Sequence, residues 1–108
     1  MRFNFVDDDA RKLATRVAIP QRLALTKELL SDRLLGAGGA GGARPALPVY
    51  SLVATVTHHG HGIADGHYTA DVMQSDGQWL RCDDASTVRV RSADVLHDQT
   101  YLLFYARQ

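Results

Sequence analysis

Three short apolar runs in the middle of the chain set its pattern. Tyr50-Ser51-Leu52-Val53-Ala54-Thr55-Val56 leads into His58-His59, Tyr68 to Met73 mixes apolar and polar positions, and Trp79-Leu80-Arg81-Cys82 leads into Asp83-Asp84. Runs of this length, rich in β-branched and aromatic residues and bounded by glycine, predict three strands. The step Asp76-Gly77 favours a tight turn, because glycine supplies positive φ without steric cost. The second and third strands therefore form a hairpin. If Gln74 to Gly77 are its loop, Met73 faces Gln78, His67 faces Asp84 and Tyr68 faces Asp83. A one-residue bulge would instead set Asp83 across from His67.

The flanking segments extend the same architecture. Residues 1–6 read as a strand from the first position, an abrupt start that suggests a chain cut from something longer. Asp7-Asp8-Asp9 with Ala10-Arg11 form a charged turn, and Lys12 to Ile19 resume a strand that Pro20 stops. Between Gln21 and Leu35, Leu23, Leu25, Leu29, Leu30, Leu34 and Leu35 recur mainly at helical spacing, which predicts a short amphipathic helix or helical turn. The low-complexity run from Gly36 to Ala43, closed by Pro45 and Pro48, makes residues 36–48 a flexible insertion. Thr87–Val90 is a short strand, Ser92–Val95 a turn, and Thr100–Ala106 a continuous apolar strand expected at the centre of its sheet with both faces covered. The predicted class is α+β: a mostly antiparallel β-sheet with one short helix.

Composition narrows the function. The 108 residues carry 12 Lys and Arg against 12 Asp and Glu, so there is no electrostatic footprint for nucleic acid or an acidic membrane. A hydrophobic content of 45% is that of one modest globular domain. Cys82 is the single cysteine and has no internal disulfide partner, and no leader pattern precedes the first strand, so a reducing, soluble compartment is expected.

The candidate chemistry lies at the hairpin. Either register brings a carboxylate, Asp83 or Asp84, within one residue of His67, and opposed residues have Cβ atoms about 4.5–5.5 Å apart. A carboxylate that holds an imidazole in place and stabilises its protonated form makes a general base; the same contact elsewhere only rigidifies a sheet. His58, His59, His61 and His67 also raise a metal site. His58 and His59 point to opposite faces of a strand, however, and no paired-cysteine element accompanies them. No metal and no cofactor are expected. The glycine run lacks the Gly-Lys-Ser/Thr ending of a phosphate cradle.

Taken together, Leu52 to Val56, His59-Gly60, Gly66-His67-Tyr68-Thr69-Ala70, Trp79, Asp83-Asp84 and Tyr101 to Arg107 resemble the histidine-box half of the ubiquitin-specific proteases, papain-like cysteine deubiquitinases. Arg2-Phe3, Asp7, Lys12 and Ile19 to Leu23 resemble the segment before that box. Lys27 to Ser31, His58 to Gly60, Gly66 to Thr69, Asp71-Val72 and Trp79 to Arg81 look closest to the ubiquitin carboxyl-terminal hydrolase 10 type.

The resemblance implies the C-terminal palm part of a catalytic domain over residues 1–108, cytoplasmic or nuclear, with ubiquitin and ubiquitinated proteins as partners. It implies His67 as general base, Asp83 as its orienting residue and Asp84 as a neighbour able to assist. It places His59, Gly66 and Tyr68 along the channel for the ubiquitin tail, with Asp7, Asp8 or Asp9 pairing a tail arginine. Two family parts have no counterpart here: the cysteine box Gly-x-x-Asn-x-Gly-Asn-Thr-Cys and the zinc-binding fingers. Cys82 stands where the family has an apolar residue, so the chain needs the N-terminal cysteine-box part for chemistry.

Overall fold

The computed structural model describes residues 3–6, 9–30, 47–62, 66–96 and 99–108. Two sheets are present. Strands β1 (Phe3–Val6) and β2 (Asp9–Lys12) form an antiparallel ribbon, and the other six strands form the main sheet. These are β3 (Arg22–Ala24), β4 (Val49–His59), β5 (His67–Met73), β6 (Trp79–Asp83), β7 (Ser86–Val90) and β8 (Thr100–Arg107). Their order is β3-β4-β5-β6-β7, with β8 also on β4, and every pairing is antiparallel. One helical turn, α1 (Ser92–Val95), follows β7. The expected α+β class is observed.

The hairpin register differs by one residue from the count based on a four-residue loop. Met73 pairs with Trp79 rather than Gln78, and Ala70 pairs with Cys82. Gln74 N–H donates to the Gln78 carbonyl at 2.7 Å and Gly77 N–H to the Gln74 carbonyl at 2.9 Å. Gly77 sits at φ +82°. That is a turn closed by a left-handed glycine, with only three residues outside the ladder. The Asp76 carboxylate accepts the Gln78 N–H at 3.0 Å, which fixes the turn from within.

The register also rests on a buried ion pair. Asp71 and Arg81 are direct cross-strand partners, and the guanidinium grips the carboxylate twice, Nε to Oδ1 at 2.7 Å and Nη2 to Oδ2 at 2.9 Å. Asp71 is 1% exposed. A carboxylate so far from water requires its partner, and a bidentate fork is the strongest geometry available. Arg81 Nη2 also donates to the Asp94 carbonyl at 3.3 Å, which anchors α1. Next to it, fully buried Val95 joins Leu52 and Trp79 in the core.

On that face Ile19, Met73, Val90, Leu96 and Tyr105 surround the three buried side chains. A register shift in the β4–β8 pairing between Leu52 and Ala54 lets Leu52 join Trp79 on the face that Thr55 shares with Asp71. The incoming segment is tied down by Leu52 N–H to the Gln21 carbonyl at 2.9 Å and by the Tyr105 hydroxyl to the Pro20 carbonyl at 2.7 Å.

Several expectations are corrected. Asp9 to Arg11 belong to a strand, not to a charged turn, and of the strand expected from Lys12 to Ile19 only Lys12 is in a ladder, as the last residue of β2. Arg22–Ala24 pair with β4 instead of opening a helix, because Leu23 and its neighbours meet a free strand edge at Val49–Ser51; only Lys27–Leu29 turn helically, as a 3-10 turn. Residues 31–35 of that expected helix, and most of the 36–48 insertion, lie outside the described residues. Strand β8 is not central. Among the described residues it pairs with β4 alone, and Leu102, Leu103 and Phe104 stand 45%, 39% and 49% exposed.

The buried pair gives a direct test. Replacing Arg81 by Met strands the Asp71 carboxylate and is expected to destabilise the chain by about 3–5 kcal/mol. Arg91→Ala, which breaks an exposed pair with Asp94, is expected to leave the denaturation midpoint nearly unchanged. Urea unfolding of the two variants, followed by tryptophan fluorescence of Trp79, checks the contrast.

Candidate active site

His67 opens β5 and Asp83 closes β6. In the observed register, Asp83 lies two residues short of the position facing His67, so the pair meets diagonally on one sheet face. His67 Nε2 lies 2.5 Å from Asp83 Oδ1, with both side chains about half exposed, at 47% and 48%. With Nε2 donating to the carboxylate, Nδ1 is the ring atom left to accept a proton from a neighbour. The carboxylate thus fixes the orientation of a half-exposed imidazole.

The two aspartates expected near the base are not equivalent. Asp83 ends the ladder, paired with Ser86, whereas Asp84 is the first of the two residues of the β6–β7 turn at φ +47°. Aspartate tolerates that left-handed position better than most residues. Its carboxylate stays close: ligand atoms of His67, Asp83 and Asp84 all lie within 4.8 Å of one another. Among the described residues this is the group able to hold a cation. It offers three exposed donors, two of them on adjacent residues, fewer than the four of a closed structural zinc site.

His59 faces His67 directly across β4 and β5, its ring centroid 6.2 Å away, and its Nε2 contacts Thr69 Oγ1 at 2.9 Å. His58 points to the other face. It is 1% exposed, stands directly opposite Tyr68 and packs edge-on against that ring at 4.8 Å; Tyr68 in turn meets Tyr101 at 6.2 Å. The Lys12 ammonium donates to the carbonyls of His58, at 2.5 Å, and Gly60, at 3.2 Å. Burial first, then the charges of Lys12 and His59, hold His58 below its usual value of 6.5.

The fold therefore brings His67, Asp83, Asp84 and His59 together, with Gly66 leading into the base. Tyr68 is separated from them by strand alternation. Cys82 pairs with Ala70 on the face away from His67, so it cannot give its proton to that base. Asp9 lies in β2 opposite Val6, and Asp7 and Asp8 lie outside the described residues. The sequence reading missed the Asp71–Arg81 pair, the Lys12 clamp and the burial of His58. An Asp and an Arg placed to face each other across a hairpin were the available signal for the first.

A sequence profile described as ubiquitin carboxyl-terminal hydrolase matches residues 1–105. The chain belongs to that family. Among its relatives, ubiquitin carboxyl-terminal hydrolase 24 of Arabidopsis thaliana is 41% identical over 97% of this chain and 17% of its own length. Ubiquitin hydrolase B of Dictyostelium discoideum is 34% identical over 96% and 20%. A chain of the SAGA Ubp8/Sgf11/Sus1/Sgf73 DUB module bound to ubiquitin aldehyde superposes with a TM-score of 0.80 at 29% identity, covering 99% of this chain and 23% of that one. The family fold thus includes this sheet, and the present chain spans less than a quarter of each of these three proteins.

The lowered pKa of His58 predicts a pH dependence. A base whose folded pKa lies below its unfolded value binds fewer protons when folded, so its contribution to stability is complete above about pH 6.5 and is lost as pH falls from there towards the folded pKa. Unfolding free energy measured between pH 7 and pH 5 is expected to fall with acid. His58→Gln, which cannot titrate, is expected to flatten that slope.

Proposed function

We propose that this chain is the base-carrying part of a cysteine-type deubiquitinase, a thiol hydrolase that cleaves after the C-terminal glycine of ubiquitin. The observation that carries the reading is the His67–Asp83 contact, made by a half-exposed imidazole at the end of the sheet. Family membership and the likeness to a DUB module chain bound to ubiquitin aldehyde support it.

In this reading His67 Nδ1 takes the thiol proton of a cysteine supplied by the N-terminal cysteine-box part. The thiolate attacks the carbonyl of ubiquitin's last glycine, and the imidazolium returns the proton to the departing amine. Water, deprotonated by the same imidazole, then hydrolyses the thioester and frees the cysteine. Asp83 keeps Nε2 engaged and stabilises the imidazolium in both half-reactions, with Asp84 adding negative charge alongside.

His59 and Gly66 on the base's side would line the ubiquitin-tail channel, together with Tyr68, and Asp7, Asp8 or Asp9 would receive a tail arginine. The chain would act in the cytoplasm or nucleus on ubiquitinated proteins, and within the family we assign it to the hydrolase 10 type. Residues 1–108 by themselves are expected to be inactive, because their only cysteine lies on the wrong face of the sheet.

A ubiquitin probe with a C-terminal electrophile tests this. It is expected to label the longer gene product at a cysteine other than Cys82 and to leave residues 1–108 unlabelled. In the labelled protein His67→Ala is expected to lower kcat by roughly 10²–10⁴-fold, and Asp83→Asn to cost more than Asp84→Asn. Failure of the longer product to label would favour a non-catalytic ubiquitin-binding remnant; labelling at Cys82 would overturn the assignment of the nucleophile.

A further inference from the structure

The residue before the base is glycine, yet its backbone does not require one: the positive-φ glycines among the described residues are Gly60 and Gly77. What excludes a side chain at Gly66 is His58. A Cβ built on Gly66 would lie 2.5 Å from His58 Cδ2, 2.8 Å from Cε1 and closer still to Nε2. It would fall at the Nε2 tip of the imidazole, where a substituent on that nitrogen would sit, well inside normal van der Waals contact. The ring has little freedom to retreat. It is 1% exposed, packs against Tyr68, and belongs to a backbone whose carbonyl accepts the Lys12 ammonium.

His58 thus touches two of the three residues Gly66-His67-Tyr68, one on each side of the base, from the face opposite the base itself. Directly opposed pairs His58–Tyr68 and His59–His67 continue the β4–β5 ladder to the first residue of β5. A strand end has few other contacts to fix it, and the 2.5 Å His67–Asp83 contact depends on where that end lies.

We propose that His58 is a positioning residue for the base. Its imidazole fills the space that a side chain at position 66 would take, seats Gly66 and Tyr68 against β4, and so holds His67 in reach of Asp83. The inference rests on reading His67 as the general base. It also gives the glycine at 66 an internal cause, whereas a ubiquitin-tail channel would give it an external one. Burial and the nearby Lys12 and His59 charges lower the ring's pKa from its usual value.

The test uses the 108-residue chain labelled with 15N-histidine, with no ligand, and reads the His67 imidazole nitrogens and the His67–Asp83 hydrogen bond by NMR. Gly66→Ala and His58→Ala are each expected to weaken that hydrogen-bond signature. The double variant Gly66→Ala with His58→Ala is expected to regain it in part, because the new methyl occupies volume that the ring vacates, a coupling that independent sites would not show. In the longer protein that labels with the probe, Gly66→Ala is expected to cost about 10²-fold in kcat, the scale of a misplaced catalytic group.

Two results would overturn the proposal: an unchanged His67 signature in both single variants, with any loss for Gly66→Ala appearing in KM alone, or absence of recovery in the double variant. If Gly66→Ala fails to fold, His58→Ala decides the matter, since a folded variant with an unaltered His67–Asp83 signature refutes positioning. The NMR result is independent of whether any ubiquitin probe reacts, so failure of the functional reading would be recognised separately.

Discussion

The Asp71–Arg81 pair is the constraint on which the arrangement of this sheet depends. A carboxylate 1% exposed needs a hydrogen-bonding partner to replace water, and the partner is reached only when residue 71 faces residue 81. In a β-ladder a slip of one residue sends every side chain of the moving strand to the other face. A slipped hairpin would bury Asp71 against Leu80 and would separate His67 from Asp83. One ion pair therefore selects the register, and the register places His67 beside Asp83, four residues from Asp71 along the strand. The cost of the pair is desolvation, so its value lies in excluding the wrong pairing more than in net stability.

The two faces of the same strands carry different work. On one, Thr55, Thr57, Thr69 and Asp71 are buried, and the exposed His67, Asp83 and His59 lie at the end of the same rows. On the other, His58, Tyr68 and Tyr101 form a ring cluster against Gly66. His67 has its hydrogen-bonding partner on its own face, and its two chain neighbours are backed by His58 on the opposite one. Lys12 joins the two at the point where β4 ends, holding the carbonyls of His58 and Gly60 together. Both carbonyls thereby gain a hydrogen-bond donor at the end of the strand.

Much of this was legible in the sequence, and the failures have physical causes. The three central strands, the hairpin at Asp76-Gly77 and the approach of a carboxylate to His67 follow from apolar runs bounded by turn residues. The register was missed because a left-handed glycine at position 77 closes a turn with three residues outside the ladder, whereas the count assumed four. Requiring Asp71 and Arg81 to face each other would have corrected it, since a lone buried carboxylate is untenable. The leucines after Gln21 repeat with a spacing that suits a helix, yet Arg22–Ala24 find an unpaired stretch of β4 and become a strand. Propensity lost there to a tertiary hydrogen-bonding opportunity. In β8, a continuous apolar run was taken to mean two covered faces, a rule that assumes all covering elements are present.

The same geometry explains why Asp83 and not its neighbour makes the hydrogen bond to His67. Alternation puts Asp83 on the face of His67, while Asp84 has left the ladder and sits in a turn with its backbone at φ +47°. Alternation also puts Cys82, one step before Asp83, on the opposite face. A single parity rule therefore puts Asp83 on the face of His67 and Cys82 on the other. The result is a half-exposed imidazole tied by its own sheet to Asp83. In the proposed role of His67, the parts that fix it, Asp83 beside it and His58 behind it, belong to strands that pair directly with its own.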